Sequence, residues 1–329
     1  MKIIHWGIIG AGNIASTFAT AINSLETSKL TAIASRNMDK AKKFAERFHI
    51  DKAYGSYEEL VQDPEIDVIY IATPHTEHKA NATMCITNGK AVLCEKPFTL
   101  NAGDSEYLIS LAREYKVFLM EAMWTKFLPV TRMVKNWLKE GRIGEIRHFK
   151  LSFGYQTAFD INSRIYNPDL AGGALLDVGV YPISYVIHMM DRLPDQVISS
   201  AVIGRSGVDE QNVIILKYDN GVLADLSSAI SVETGDDAVI FGDKGKIVIP
   251  GFWEAQSAEL YDNHNTLVDT YTYPFASNGY VYEAEEVSQC LRDGKLESDM
   301  IPLKDTLDIM KIMDEIRAQW GLTYPQEQN

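Results

Sequence analysis

Cysteine is scarce. Cys85, Cys94 and Cys290 are the only three in 329 residues, and no two have the spacing of a zinc or redox pair. A disulfide framework is therefore excluded, and reduced, packed thiols in a reducing, cytoplasmic compartment are expected. Basic residues are in deficit: 31 Lys and Arg against 45 Asp and Glu leave a net charge of −14. A nucleic-acid binder needs a basic face against the phosphates, and an anionic membrane surface repels such a chain, so neither partner is expected. An anionic ligand has to be held by a local positive pocket. No apolar run approaches the length of a bilayer span. The opening MKIIHWGIIGAGNIASTFATA imitates a signal peptide with Lys2, an apolar stretch and the small residues Ala19 and Ala21. His5 interrupts the stretch and the glycines have another use, so no cleaved signal is expected. Internal repeats, low-complexity tracts and linkers are lacking too.

What is present is a globular balance, 46% hydrophobic and 23% charged, in a length that suits two domains. Over the first 120 residues apolar runs such as KIIHWGIIG, KLTAIAS, DVIYIA, AVLC and VFLMEA alternate with helical patterns such as MDKAKKFAERF and NAGDSEYLISLAREY. Continuous Val, Ile, Leu and Ala mark strands buried on both faces. Their alternation with helices predicts βαβ units, hence a doubly wound parallel sheet. After about residue 122 the pattern changes. One amphipathic helix, PVTRMVKNWLKEG, precedes longer strand candidates joined by hairpin signals at YDNGV and GDKG. This predicts a largely antiparallel sheet interrupted by a helix over 174–190, with two closing helices near 278–293 and 303–319. The expected domains are a dinucleotide-binding one, 1–122, and an α/β one for substrate, 123–329.

The first strand runs into GAGNIA, with Gly10, Gly12, Asn13 and Ile14. A lone G-x-G-x-x-G/A is weak; between a strand and a helix that open a βαβ series, it is a dinucleotide-binding turn. Gly10 permits the turn, and Gly12 lets a pyrophosphate approach the N–H groups of the helix start. The tip of strand two selects the dinucleotide. A carboxylate there would hold the ribose 2′-hydroxyl. This chain has Ser35, Arg36 and Asn37 instead. An arginine fork and a serine hydroxyl suit a 2′-phosphate, so NADP (NADPH) is expected over NAD. A surface arginine paired with an acid would leave the same letters.

Strand four ends in ATPHTEHKANA. Ala72, Thr73, Pro74 and His75 are placed against the nicotinamide ribose, with His78 as polar lining at a helix start. No carboxylate or cysteine nearby completes a metal set with the two histidines, so no metal is expected. Strand five delivers Glu95, Lys96 and Pro97 to the same edge, where doubly wound sheets bind ligands. Pro97 holds Lys96 extended, leaving the isomer of their peptide bond open. An ordinary strand end reaching solvent would also carry charges.

GIIGAGNIA, ATPHTEHKANA, LCEKPFTLN and AGGALLDVGVYPI together resemble the Gfo/Idh/MocA oxidoreductases. FLMEAMWTKFLP and the C-terminal ESDMIPLKDTLDIMKIMDEIRAQWGLTYP resemble its dimeric dihydrodiol dehydrogenase branch. The resemblance spans nearly the whole chain. It implies a Rossmann domain followed by an α/β domain with an open antiparallel sheet, a nicotinamide dinucleotide, a catalytic Lys96, and a homodimer paired through the open sheet face.

In AGGALLDVGVYPISYVIHMM, Asp177 and Tyr181 are four apart and share a helix face. Many relatives have His at the second position; Tyr181 follows the dihydrodiol dehydrogenase branch. A neighbouring Lys96 ammonium would lower its phenol from about 10 toward neutrality. Asp177 would fix the lysine or a substrate hydroxyl. Without that context a core-edge tyrosine and a helix-start carboxylate serve equally well. In the reducing direction hydride passes from NADPH to a carbonyl carbon, Lys96 polarises the oxygen and Tyr181 supplies the proton. Trp124, Phe153, Tyr155 and Arg164 are candidate pocket walls for a small-molecule substrate, a sugar, diol or dicarbonyl; Arg164 reads equally as an exposed loop residue. An NAD-dependent glycoside hydrolase and a non-catalytic dinucleotide sensor are the alternatives. The first would favour an acidic strand-two tip, the second could lose Lys96 or Tyr181.

Overall fold

The computed structural model describes residues 2–327. They divide into two compact units. One runs to Trp124 and takes in Ala276–Met310; the other is Thr125–Phe275 and resumes at Lys311.

In the first unit the strands β1 (Ile4–Ile9), β2 (Ser28–Ala34), β3 (Lys52–Tyr54), β4 (Val68–Ile71), β5 (Ala91–Glu95) and β6 (Leu119–Ala122) form one sheet in the order β3-β2-β1-β4-β5-β6. Every pairing is parallel. The helices are α1 (Asn13–Asn23), α2 (Met38–Phe48), α3 (Tyr57–Val61), α4 (His78–Thr87) and α5 (Ala102–Tyr115). Each is set by local chemistry. In α2 the buried residues Ala41, Phe44, Ala45 and Phe48 recur at helical spacing beneath a charged face. Asn37 caps it by accepting the Lys40 N–H at 3.0 Å, and His49 ends it at φ +57°. Ile9, Ile69, Ile71, Val92, Cys94 and Leu119 form the core under the sheet. The strand order reverses between β1 and β4, which brings Gly10 beside Ala72 at the carboxyl edge. The three-residue β3 escaped the sequence reading because it is too short to show a period.

The boundary near residue 122 captures only part of the division. The helix α8 (Tyr280–Arg292) packs in the first unit, where Ser28 and Ser288 hydroxyls lie 3.0 Å apart and Asn278 donates to the Thr17 carbonyl at 3.0 Å. Helical period shows which face of α8 is apolar, not which core accepts it.

The second unit holds β7 (Ile146–Gln156), β8 (Gln196–Ile203), β9 (Asp209–Lys217), β10 (Leu223–Ala229), β11 (Ser231–Gly235), β12 (Ala238–Gly242), β13 (Gly245–Ile249), β14 (Ser257–Asp262) and β15 (Leu267–Thr272). The sheet runs β15-β14-β13-β12-β7-β10-β9-β8, with β11 also on β7. All pairings are antiparallel except β7–β10, whose long connection carries a helix. β14 and β15 were not anticipated; β14 is only six residues long, and β15 is polar and largely exposed. The YDNGV signal is met at Gly221, φ +88°. Helix α6 (Pro129–Lys139) belongs to this unit, and α9 (Leu303–Trp320) is divided between the two at Met310.

The helix expected over 174–190 is a π-helical turn, Leu175–Gly179, followed by α7 (Val180–Met190). This corrects the view of Asp177 and Tyr181 as neighbours on one regular α face. The stretch 168–190 also corrects the expectation that nothing approaches a bilayer span. By length and composition it qualifies, with a mean hydropathy of 1.5, but 94% of that window is buried inside the protein. An all-round apolar helix can be a core helix, as here.

Candidate active site

The dinucleotide-type turn is built as the letters require. Gly10 has φ +99°, and a Cβ there would lie 2.6 Å from the Ala72 carbonyl oxygen, so only glycine fits. A Cβ on Gly12 would meet nothing within 4 Å, which leaves that backbone bare. Gly12 caps α1 without a side-chain bond, and the first turn, starting at Asn13 and Ile14, holds no acid. The leading N–H groups and the positive end of the dipole therefore face an open approach, which fits a pyrophosphate. Ser35, buried at the end of β2, accepts the Asn37 N–H at 3.3 Å. Arg36 is exposed and lies 3.8 Å from Glu77, a loose pair in water.

Past β4, the Thr73 hydroxyl accepts a bond from the Asn81 amide at 3.1 Å. His78 is wholly buried. Its ring nitrogens lie 2.9 Å from the Pro97 carbonyl oxygen and 3.0 Å from that of Thr73. Burial lowers its pKa. It braces the ends of β4 and β5 from within, at the start of α4. The His75 ring meets it edge-on at 5.9 Å, also buried.

Lys96 follows β5 and is half-buried, in a cis peptide with Pro97. Its own N–H donates to the Glu95 carboxylate at 3.0 Å, while the Tyr70 hydroxyl donates to the other Glu95 oxygen. Tyr70, fully buried, stacks on Phe18 at 3.8 Å. Glu95 is thus a buried anchor for the lysine's backbone. Behind it stands Glu283 of α8, fully buried, with neither carboxyl oxygen hydrogen-bonded. Burial, then the charges of Glu95 and Glu121, push its carboxyl well above the usual range. Tyr70 and Glu283 were not singled out from sequence. Trp124, proposed as a pocket wall, is buried and stacks on Tyr280 at 4.4 Å.

In the second unit Phe153 and Tyr155 project from one face of β7. The Tyr155 hydroxyl donates to Asp177 at 2.6 Å, and Arg164 donates to its other oxygen at 2.9 Å. Arg164 is therefore paired with a nearly buried acid and is not simply a loop arginine. Burial first, then the Asp177 charge, hold the Tyr155 phenol well above its ordinary value. Tyr181, at the start of α7, is buried to 4% exposure, with its ring centroid 5.5 Å from Phe153 and 6.1 Å from Trp253. Phe153 and Trp253 stack at 5.0 Å, and Asp236 fixes the indole by accepting its N–H at 2.8 Å. Trp253 was missed; a tryptophan in the proline–glycine loop IPGFWE was the available signal.

Comparison with known proteins agrees with this layout. The profile of an oxidoreductase family with an NAD-binding Rossmann fold matches residues 4–123, and the GFO/IDH/MocA C-terminal domain matches residues 131–248. The chain belongs to the Gfo/Idh/MocA oxidoreductase family. Within it the chain is 39% identical to a trans-1,2-dihydrobenzene-1,2-diol dehydrogenase from Xenopus tropicalis, covering 97% of this chain and 99% of that one. It is 35% identical to the human protein of the same name, over 98% and 99%. Among solved structures, a 3-ketoreductase from Actinomadura kijaniata in complex with NADP and TDP-benzene is 27% identical. It superposes with a TM-score of 0.87 over 96% of this chain and 98% of that one. An aldose-aldose oxidoreductase from Caulobacter crescentus, 22% identical with a TM-score of 0.88 over 97% and 98%, shares the fold. As a member of the family this chain is an NAD(P)-binding oxidoreductase, a dehydrogenase or reductase.

Proposed function

We propose that the protein is an NADP-dependent dehydrogenase or reductase that interconverts a hydroxyl and a carbonyl on a small cyclic diol, sugar-like or dicarbonyl substrate. The observation that carries this reading is the fixed backbone of Lys96 at the carboxyl edge of a dinucleotide-type sheet. The bound dinucleotide supplies or accepts hydride. Lys96 polarises the substrate oxygen, Tyr181 gives or takes its proton, and Asp177 with Tyr155 and Arg164 orients the substrate. Phe153 and Trp253 offer flat faces to a ring. Full-length relatives named dihydrodiol dehydrogenases support the substrate class. Solved structures of the ketoreductase include variants of one lysine and one tyrosine, which supports the pairing. A hydrolase or a sensor has no such support. A steady-state screen of diols, sugars and diketones with NADP(H), followed by absorbance, tests the reading; no turnover with any of them would refute it.

NADP preference rests on Ser35 and Arg36 and on NADP in the ketoreductase complexes. Arg36→Glu is expected to weaken NADPH binding by about tenfold or more, roughly the value of one charge-assisted bond. NADH binding should change far less, and equal losses in a fluorescence titration would remove the assignment.

A homodimer through the open sheet face is part of the proposal. Ile198 and Ile215 are cross-strand partners there, and with Val202, Val213 and Leu223 they leave an exposed apolar surface. Such a patch on a folded protein marks an interaction surface. Sedimentation should give twice the chain mass, and Val213→Glu should give the monomer; a monomeric wild type would overturn this. The three buried, free thiols support a cytoplasmic location.

A further inference from the structure

The π turn at Leu175–Gly179 sits on an unusual support. A π turn is rare, frequent at functional sites, and persists where its surroundings impose it. At its first residue, the Leu175 N–H donates to Asp209 Oδ2 at 2.8 Å. The same oxygen accepts the Asn212 amide at 2.9 Å, and Asn212 in turn accepts the Ser228 hydroxyl at 2.8 Å. That hydroxyl lies under Gly179, the last residue of the turn, where a Cβ would stand 2.8 Å from it. One buried chain of hydrogen bonds from β9 and β10 thus bonds the first residue of the turn and packs against its last. Gly173, at φ +113°, closes against the other Asp209 oxygen, which has no hydrogen-bond partner. Asp209, Asn212 and Ser228 are buried, and none was singled out from sequence. Between the two held ends sits Asp177, bonded to Tyr155 and Arg164. Tyr181 follows two residues after Gly179.

We propose that Asp209, Asn212 and Ser228 are positioning residues that hold this turn in its π form and so set where Asp177 and Tyr181 stand for the reaction. A turn relaxed to α-helix would take in one residue fewer per hydrogen-bonded ring and rotate Asp177 relative to Tyr181. The inference rests on the proposed roles of those two residues. It has a direct chemical consequence: substitutions in the clamp act on turnover without touching substrate or dinucleotide.

The test uses the full chain with trans-1,2-dihydrobenzene-1,2-diol and NADP, alongside hydrogen exchange of residues 173–181. Asp209→Ala removes the acceptor of Leu175 and is expected to lower kcat about tenfold, on the scale of one buried hydrogen bond, and to speed exchange in this segment, with NADP affinity unchanged. Asp209→Asn keeps a carbonyl for Leu175 and Asn212 and should restore most of kcat. If Asp209→Ala does not fold, Gly179→Ala carries the test. Its methyl presses on Ser228, and Gly179→Ala/Ser228→Ala should recover activity relative to Gly179→Ala. Faster exchange in Asp209→Ala with kcat unchanged would overturn the clamp, as would equal loss in Asp209→Ala and Asp209→Asn. Failure of the underlying reading looks different: Tyr181→Phe and Asp177→Asn would then be fully active while the wild-type segment stays protected.

Discussion

Lys96→Met is expected to lower kcat by about 10³-fold, the upper range for removing one group that stabilises a developing oxyanion. Methionine keeps most of the apolar stem of lysine and removes the charge and its N–H donors. The backbone should not move, because its restraints lie elsewhere. The Lys96 N–H is held by Glu95, Glu95 by Tyr70, and the Pro97 carbonyl by His78. NADPH affinity should therefore survive, since the Gly10–Gly12 turn and the start of α1, which fit the pyrophosphate, are not built by this side chain. Stopped-flow or steady-state turnover together with a fluorescence titration separates the two effects. A variant that keeps wild-type kcat would show that the ammonium is not used, and the oxidoreductase mechanism would need another electrophile.

The second large effect is expected from Tyr181→Phe, which should cost about 10²-fold in kcat, the usual scale of positioned acid–base catalysis. The ring is buried against Phe153 and Trp253, and phenylalanine preserves those contacts. Stability and substrate KM are thus expected to stay close to wild type, and the loss should fall on kcat. A loss carried by KM alone would identify Tyr181 as a wall of the pocket and leave the proton donor to be sought among its neighbours. Tyr155 would be a poor replacement: burial and its bond to Asp177 hold its proton tightly.

Much of the first unit is legible in the sequence. Strand–helix alternation, the apolar runs and the GAGNIA turn are local patterns, and local patterns carry the backbone of a doubly wound sheet. His78 shows where such reading stops. Its place at a helix start was legible, but its burial was not, because that depends on the Pro97 loop nineteen residues away. The stacking of Trp124 was not legible for the same reason, since its partner Tyr280 arrives from the far end of the chain. In the second unit the hairpin signals and long strands were readable. The polar outer strands β14 and β15 were not, and Trp253 entered only through its contacts.

The order of motifs along the chain was enough to determine the family, the parallel sheet, the glycine turn and the candidate lysine and tyrosine, because each is written in residues close together. Only the tertiary structure decided that Tyr70 and Glu95 anchor the lysine's backbone, that α8 brings Glu283 behind them, and that a π turn carries Asp177. The physical reason is separation: these contacts join residues 25 to 188 positions apart, whose hydrogen bonds and burial no local period records.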